Sequence, residues 1–144
     1  RLNPAISIIA RSCPLFVPLA EEGWTDNDVA RLTASLYLEA LCEAHVDTLV
    51  LGCTHYPLLK KVIAEVMGPA VTLVDSAEET ARTVAAILHE KQLLRPPVEQ
   101  GNHHYYVTDI PAGFVRVGNR FLGGKLGDVY QVSLDDGRIY TEHT

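Results

Sequence analysis

Leu49-Val50-Leu51-Gly52-Cys53-Thr54-His55-Tyr56-Pro57-Leu58-Leu59 is the stretch on which the reading of the fold turns. Val46–Leu51 is short and almost continuously apolar, as in a parallel strand covered on both faces. Gly52 permits a tight turn. Pro57 stands where a helix accepts a first-turn proline, and Leu58, Leu59, Val62, Ile63 and Val66 carry that helix to Met67, stopped by Gly68-Pro69. A strand running through a short turn into a helix is one step of a βαβ unit.

The pattern continues on both sides. Upstream, Val29, Leu32, Leu36, Ala40 and Leu41 recur at helical spacing and predict a helix over about 26–44, with Thr25 and Asp28 as a capping pair. Ala5–Ala10, five of six residues apolar, reads as a buried strand. Between them Cys13-Pro14-Leu15-Phe16-Val17-Pro18-Leu19 carries two prolines and reads as a packed loop. Downstream, Val71–Val74 is a strand. Ser76 with Glu79 is a capping box, opening a helix to about Gln92 with Ala81, Val84, Ala85 and Leu88 as its apolar positions. A loop over 95–102 precedes a strand at His104–Thr108, a helix at Pro111–Leu122 with Phe114, Val117 and Phe121 inward, and a strand at Val129–Leu134. The fold class is therefore α/β, a mainly parallel sheet with flanking helices.

Composition narrows the function. At 144 residues and 47% hydrophobic, the chain can build a core, so disorder is excluded as its main state. No apolar run approaches the roughly 20 residues of a membrane helix. A net charge of −6 argues against a nucleic-acid binder, which shows a basic face. Three cysteines without paired spacing (Cys13, Cys42, Cys53) suit a reducing compartment, and the absence of a CxxC or HxxxH leaves a structural zinc site without support. The chain opens on Arg1 and runs at once into apolar sequence, so it reads as a piece of a longer protein.

Cys53 is the focus for chemistry. Ligands of α/β sheets bind beyond the carboxyl ends of the strands, and a cysteine near a helix N-terminus is biased toward thiolate. His55 can hold a proton or orient a partner, Thr54 offers a hydroxyl, and helix N–H groups can receive a carboxylate. The plainer alternative makes Cys53 a small packed residue, Thr54 a cap and His55 a surface histidine; their company at one turn favours chemistry. Cys42 falls inside a helix and reads as packing. The remaining histidines (His45, His89, His103, His104, His143) form no partner pattern.

Gly52-Cys53-Thr54-His55-Tyr56-Pro57-Leu58 resembles the second-cysteine motif of the glutamate racemases, within the aspartate/glutamate racemase superfamily. Cys13–Leu19 followed by Glu21-Glu22-Gly23 is similar to the stretch before it in that family. Val74-Asp75-Ser76-Ala77 with Glu79-Thr80-Ala81 is similar to the stretch after it. The resemblance covers residues 1 to about 90; from about 102 to 134 it rests on the strand–helix–strand pattern and His104–Thr108.

The resemblance implies a cofactor-independent isomerase that interconverts L- and D-glutamate. Two cysteines on opposite faces of Cα exchange the proton, and neither pyridoxal phosphate nor metal is needed. It implies Cys53 as one of the two, His55 as the histidine that assists it, Thr54 as a substrate contact, and Glu21 as a glutamate on the same side, with its neighbour Glu22 as the alternative. Asp75 and Ser76 are read as a helix cap. The expected setting is the bacterial cytoplasm, with D-glutamate supplied to peptidoglycan. The expected partners are glutamate, a missing N-terminal half and a second copy in a dimer, with no membrane and no nucleic acid.

The family's Asp-Ser-Gly and first catalytic cysteine do not occur here. The chain thus resembles the C-terminal half of a two-lobed, pseudo-symmetric fold: 1–74 the later part of the second lobe, 75–144 a segment returning to the first. A half-built lobe leaves apolar surface uncovered, and each ~100 Å² of it loses ~2.5 kcal/mol against a typical stability of ~5–15 kcal/mol. Two other functions stay open at this point: an isomerase of the same superfamily acting on aspartate, hydantoin or maleate, and a non-catalytic binding module. A metal role for Cys53 and His55 is remote, since two ligands do not fill a four-coordinate site.

Overall fold

The computed structural model describes residues 3, 5–95, 101–124, 126–135 and 138–141. The chain divides into two compact units, 1–91 and 92–144.

In the first unit the order is α1 (Phe16–Glu22), α2 (Asp28–Glu43), β1 (Thr48–Leu51), a 3-10 turn (Tyr56–Leu59), α3 (Lys60–Met67), β2 (Thr72–Asp75) and α4 (Ser76–Glu90). Strands β1 and β2 are parallel, with Thr48 beside Thr72 and Leu51 beside Asp75. The core gathers Phe16, Leu38, Leu51, Leu59, Val62 and Ile63, all but fully buried, so α1, α2 and α3 pack with the 3-10 turn against one face of β1. Val50 points the other way and is 61% exposed, so β1 is covered on one face only. The second unit pairs β3 (Tyr105–Val107) parallel to β4 (Val129–Asp135) across α5 (Pro111–Leu122). An additional strand, β5 (Arg138–Thr141), runs antiparallel to β4 and was not foreseen. The α/β class and the predominance of parallel pairing stand.

Several local expectations do not. Residues 5–10 form no strand, and Ile6, Ile8 and Ile9 are exposed. Apolar composition favours burial, but a strand also needs a neighbour to satisfy its backbone, and no described strand lies beside this run. The proline-punctuated segment is a helix, not a loop. Pro18 is the third residue of α1, where backbone N–H groups have no intrahelical acceptor to lose. Gly23, at φ 79°, closes α1 in the left-handed conformation that glycine adopts without strain.

Helix α2 exists where periodicity placed it, but rotated. Ala30, Ala34, Leu38 and Leu41 are buried, whereas Val29, Leu32 and Leu36 are exposed. The helix has apolar residues on two faces, and the alanine-bearing face lets its neighbours approach closely. Its cap is Asn27, which accepts the Ala30 N–H at 2.9 Å, not Thr25. The cap of α4 is Asp75, accepting from Ala77 and Glu78 N–H at 2.9 and 3.3 Å, in place of the Ser76–Glu79 box. No residue of α4 is buried, its expected apolar positions included. Phe114 and Phe121 of α5 are 43% and 42% exposed, not inward. Of the expected 95–102 loop, residues 96–100 lie outside the described residues, as do Arg1 and His143.

The rotation of α2 has a direct test. Leu38→Ala should lower unfolding free energy by about 2–5 kcal/mol, the cost of a cavity in a packed core. Leu36→Ala, on the exposed face, should stay within about 0.5 kcal/mol. Denaturant unfolding of the two variants of this chain distinguishes the faces.

Candidate active site

Strand β1 ends at Leu51, whose side chain is 2% exposed and anchors the end of the strand in the core. The chain then turns through Gly52, Cys53, Thr54 and His55 into the 3-10 turn, held by i to i+3 bonds from Tyr56 N–H to the Cys53 carbonyl (3.2 Å) and from Leu58 N–H to the His55 carbonyl (3.1 Å). Pro57 opens this turn rather than α3, which begins only at Lys60. Cys53 therefore precedes four residues of 3-10 helix, where the N-terminal dipole of a longer α-helix was expected. Gly52 has no positive φ, and a Cβ there would meet nothing within 4 Å. The turn does not demand glycine; the glycine leaves open space above the end of β1.

Glu21 lies in the last turn of α1, and its Oε1 is 3.4 Å from His55 Nε2. The other ring nitrogen, Nδ1, is 3.4 Å from the Thr54 hydroxyl. The Glu21 carboxylate can only accept, so it favours a proton on Nε2, and a neutral imidazole then accepts the Thr54 hydroxyl at Nδ1. Protonation at Nδ1 makes an imidazolium beside a carboxylate. The His55 side chain is 25% exposed and that of Glu21 49%, so water reaches the pair. Cys53 is half-buried and its thiol is free. The structure thus brings together Cys53, Thr54, His55 and Glu21, the four residues singled out in the sequence. Asp75 caps α4, as read, with Lys60 Nζ at 3.8 Å.

Sequence reasoning missed what lies behind the loop. Tyr56 donates its hydroxyl to the Cys13 carbonyl at 3.3 Å, and its ring stands edge-on to Phe16 at 5.3 Å. Phe16 meets Tyr37 in the same way at 5.5 Å. Burial pushes the Tyr56 phenol up, helped by the thiolate charges of Cys13 and Cys53. Burial also raises the Cys13 thiol, partly offset by the Arg11 cation. Aromatic residues near the Cys53 loop were visible in the sequence; their mutual contact, 40 residues apart for Phe16 and Tyr56, was not.

No family model matches the chain. Known proteins do. The chain is 73% identical over 135 residues to a glutamate racemase of Geobacter metallireducens, covering 94% of this chain and 50% of that protein. It is 48% identical to one of Syntrophus aciditrophicus, over 93% of this chain and 50% of that protein. Its relatives are glutamate racemases. Among solved structures it is similar to the glutamate racemase of Francisella tularensis in complex with D-glutamate, with TM-score 0.81 and 35% identity, over 92% of this chain and 50% of that one. It is also similar to that of Thermus thermophilus in complex with β-chloro-D-alanine, with TM-score 0.77 and 46% identity, over 87% and 47%. The fold is that of the racemases, and the chain spans about half the length of the relatives it matches.

Thiol reactivity should follow the burial. Of the three cysteines, Cys13 should be alkylated most slowly by iodoacetamide, which peptide mapping by mass spectrometry reads directly. Cys13 and Tyr56 both hold their protons more tightly folded than unfolded. Each therefore contributes stability that is complete below its ordinary pKa and is lost as pH rises through the folded value. Urea midpoints should fall as pH is raised past the ordinary cysteine value of 9.0.

Proposed function

We propose that the protein carrying this chain interconverts L- and D-glutamate by two-base proton transfer at Cα, and that this chain supplies one side of the reaction. The observation that carries the reading is the single loop beyond β1 that presents Cys53 and Thr54, with His55 braced against Glu21. In one direction the Cys53 thiolate removes the Cα proton, and a second cysteine, from sequence outside this chain, delivers a proton to the opposite face. In the other direction Cys53 is the thiol acid. No single fixed base reaches both faces, so the two-base arrangement follows from the stereochemistry.

Within that scheme His55 takes or returns the proton that Cys53 exchanges, and Glu21 orients the ring and stabilises its cationic form. Thr54 binds a substrate oxygen by turning its hydroxyl proton away from His55 Nδ1, which leaves that nitrogen open to the proton from Cys53. The steps as written use neither pyridoxal phosphate nor metal. The bound ligands of the two similar structures, D-glutamate and β-chloro-D-alanine, are both small α-amino acids, which supports the substrate class. The wider reading places residues 1–74 in the later part of the second lobe and 75–144 in a segment returning to the first, in a cytoplasmic homodimer whose D-glutamate enters peptidoglycan. Among the described residues no helix is long and apolar enough to cross a membrane.

Residues 1–144 alone, lacking the opposite base, should show no meaningful turnover. In the full-length protein Cys53→Ala should reduce racemisation by at least ~10²–10⁴-fold, the usual worth of a proton-transfer group, while Cys42→Ala should change it little. Near-normal turnover in Cys53→Ala, followed by circular dichroism, would remove the reading. His55→Asn should shift the Cα-deuterium isotope effects for L- and D-glutamate unequally, because it serves one face. Thr54→Ala should raise KM for both enantiomers alike. Aspartate assayed in parallel tests the substrate assignment.

A further inference from the structure

The loop that carries Cys53 and His55 touches α1 at two ends. At one end His55 Nε2 meets Glu21, one residue before the helix finishes. At the other end the Tyr56 hydroxyl meets the Cys13 carbonyl, just ahead of the helix. That carbonyl also accepts the Phe16 N–H at 3.1 Å, the bond that turns the chain into α1. Seven residues of helix span about 10 Å, so the two contacts are far enough apart to fix an angle as well as a distance. Between them the Tyr56 ring packs edge-on against Phe16, which is 1% exposed.

We infer that Tyr56 is a positioning residue for the proton transfer proposed above: its hydroxyl bond to Cys13 and its ring contact with Phe16 hold the Cys53–His55 loop in register with the Glu21 end of α1. The inference rests on the two-cysteine reading. Consecutive residues divide the work. His55 faces the reaction, and Tyr56, one position on, faces the core and ties the same short turn down. Without the hydroxyl bond the loop keeps its backbone turn but is free to tilt about the His55–Glu21 contact. Proton transfer falls steeply with such misplacement, whereas binding of the substrate by other groups does not.

Tyr56→Phe in the full-length protein isolates the effect. It keeps the ring and leaves the Cys13 carbonyl its bond from Phe16, so no buried acceptor is orphaned. Tyr37→Phe is the matched control. Its ring also stands edge-on to Phe16, and its hydroxyl accepts the Leu15 N–H at 3.4 Å, but it lies on α2 and not on the loop. We expect kcat of Tyr56→Phe to fall about tenfold in both directions, with KM within about twofold and with Tyr37→Phe at the wild-type rate, per mole of protein shown to be folded by its thermal transition. Wild-type kcat in Tyr56→Phe overturns the inference. So does a parallel loss in both variants, or a loss that merely tracks unfolded protein, since either marks a general packing role. Cys53→Ala in the same assay separates the two levels. Turnover there overturns the two-cysteine reading itself, whereas an inactive Cys53→Ala beside a fully active Tyr56→Phe overturns only the role given to Tyr56.

Discussion

Two parallel neighbouring strands cannot be joined by a hairpin, and that constraint organises the first unit. From Leu51, paired with Asp75 at the carboxyl ends of β1 and β2, the chain must return to Thr72 at the other end of the pair. Such a crossover takes a dozen or more residues and a packed helix. The 3-10 turn and α3 supply it, burying Leu59, Val62, Ile63 and Met67. The first residues of the crossover are then forced to lie beyond the end of the sheet, before the chain has turned back onto the core. Those residues are Gly52, Cys53, Thr54 and His55. The Cys53 loop is thus the part of the crossover that topology keeps out of the core, and the core beneath it keeps its base fixed.

What the sequence disclosed follows the range of the interactions involved. The Cys53 loop was legible because its signals are local: a β-type apolar run, a glycine and a helix-opening proline lie within twelve residues. The existence of α2 and α5 was legible from period. The phase of α2 was not, because Leu32 and Leu36 outweigh Ala30 and Ala34 on any hydrophobicity count while the alanines make the closer packing. Composition at 5–10 gave a strand's residues without a strand's neighbour. The cap of α2 misled by two residues, and of the two readings for α4 the structure selects Asp75 over the Ser76 box, since Thr25, Asn27, Asp75 and Ser76 are all competent and only backbone geometry selects among them. The approach of Glu21 to His55 spans 34 residues and has no local signature; the likeness to a family put the two on one side, and the fold put them 3.4 Å apart.

The electrostatics of the site explain why the Cys53 loop can hold these groups in place without giving their contact much strength. A half-exposed carboxylate beside a histidine that water reaches interacts through a high effective dielectric, and exposed pairs of this kind contribute about 0–1 kcal/mol. The same 3.4 Å contact in a dry cleft would be several times stronger, because the energy scales inversely with dielectric. The open space above Gly52 and the uncovered face at Val50 lie at and beside the end of β1, where the Cys53 loop begins. A second wall set over that end would exclude water and raise the worth of the His55–Glu21 contact without moving an atom of either. Geometry and dryness are separable contributions, and the 3.4 Å contact between Glu21 and His55 supplies the first.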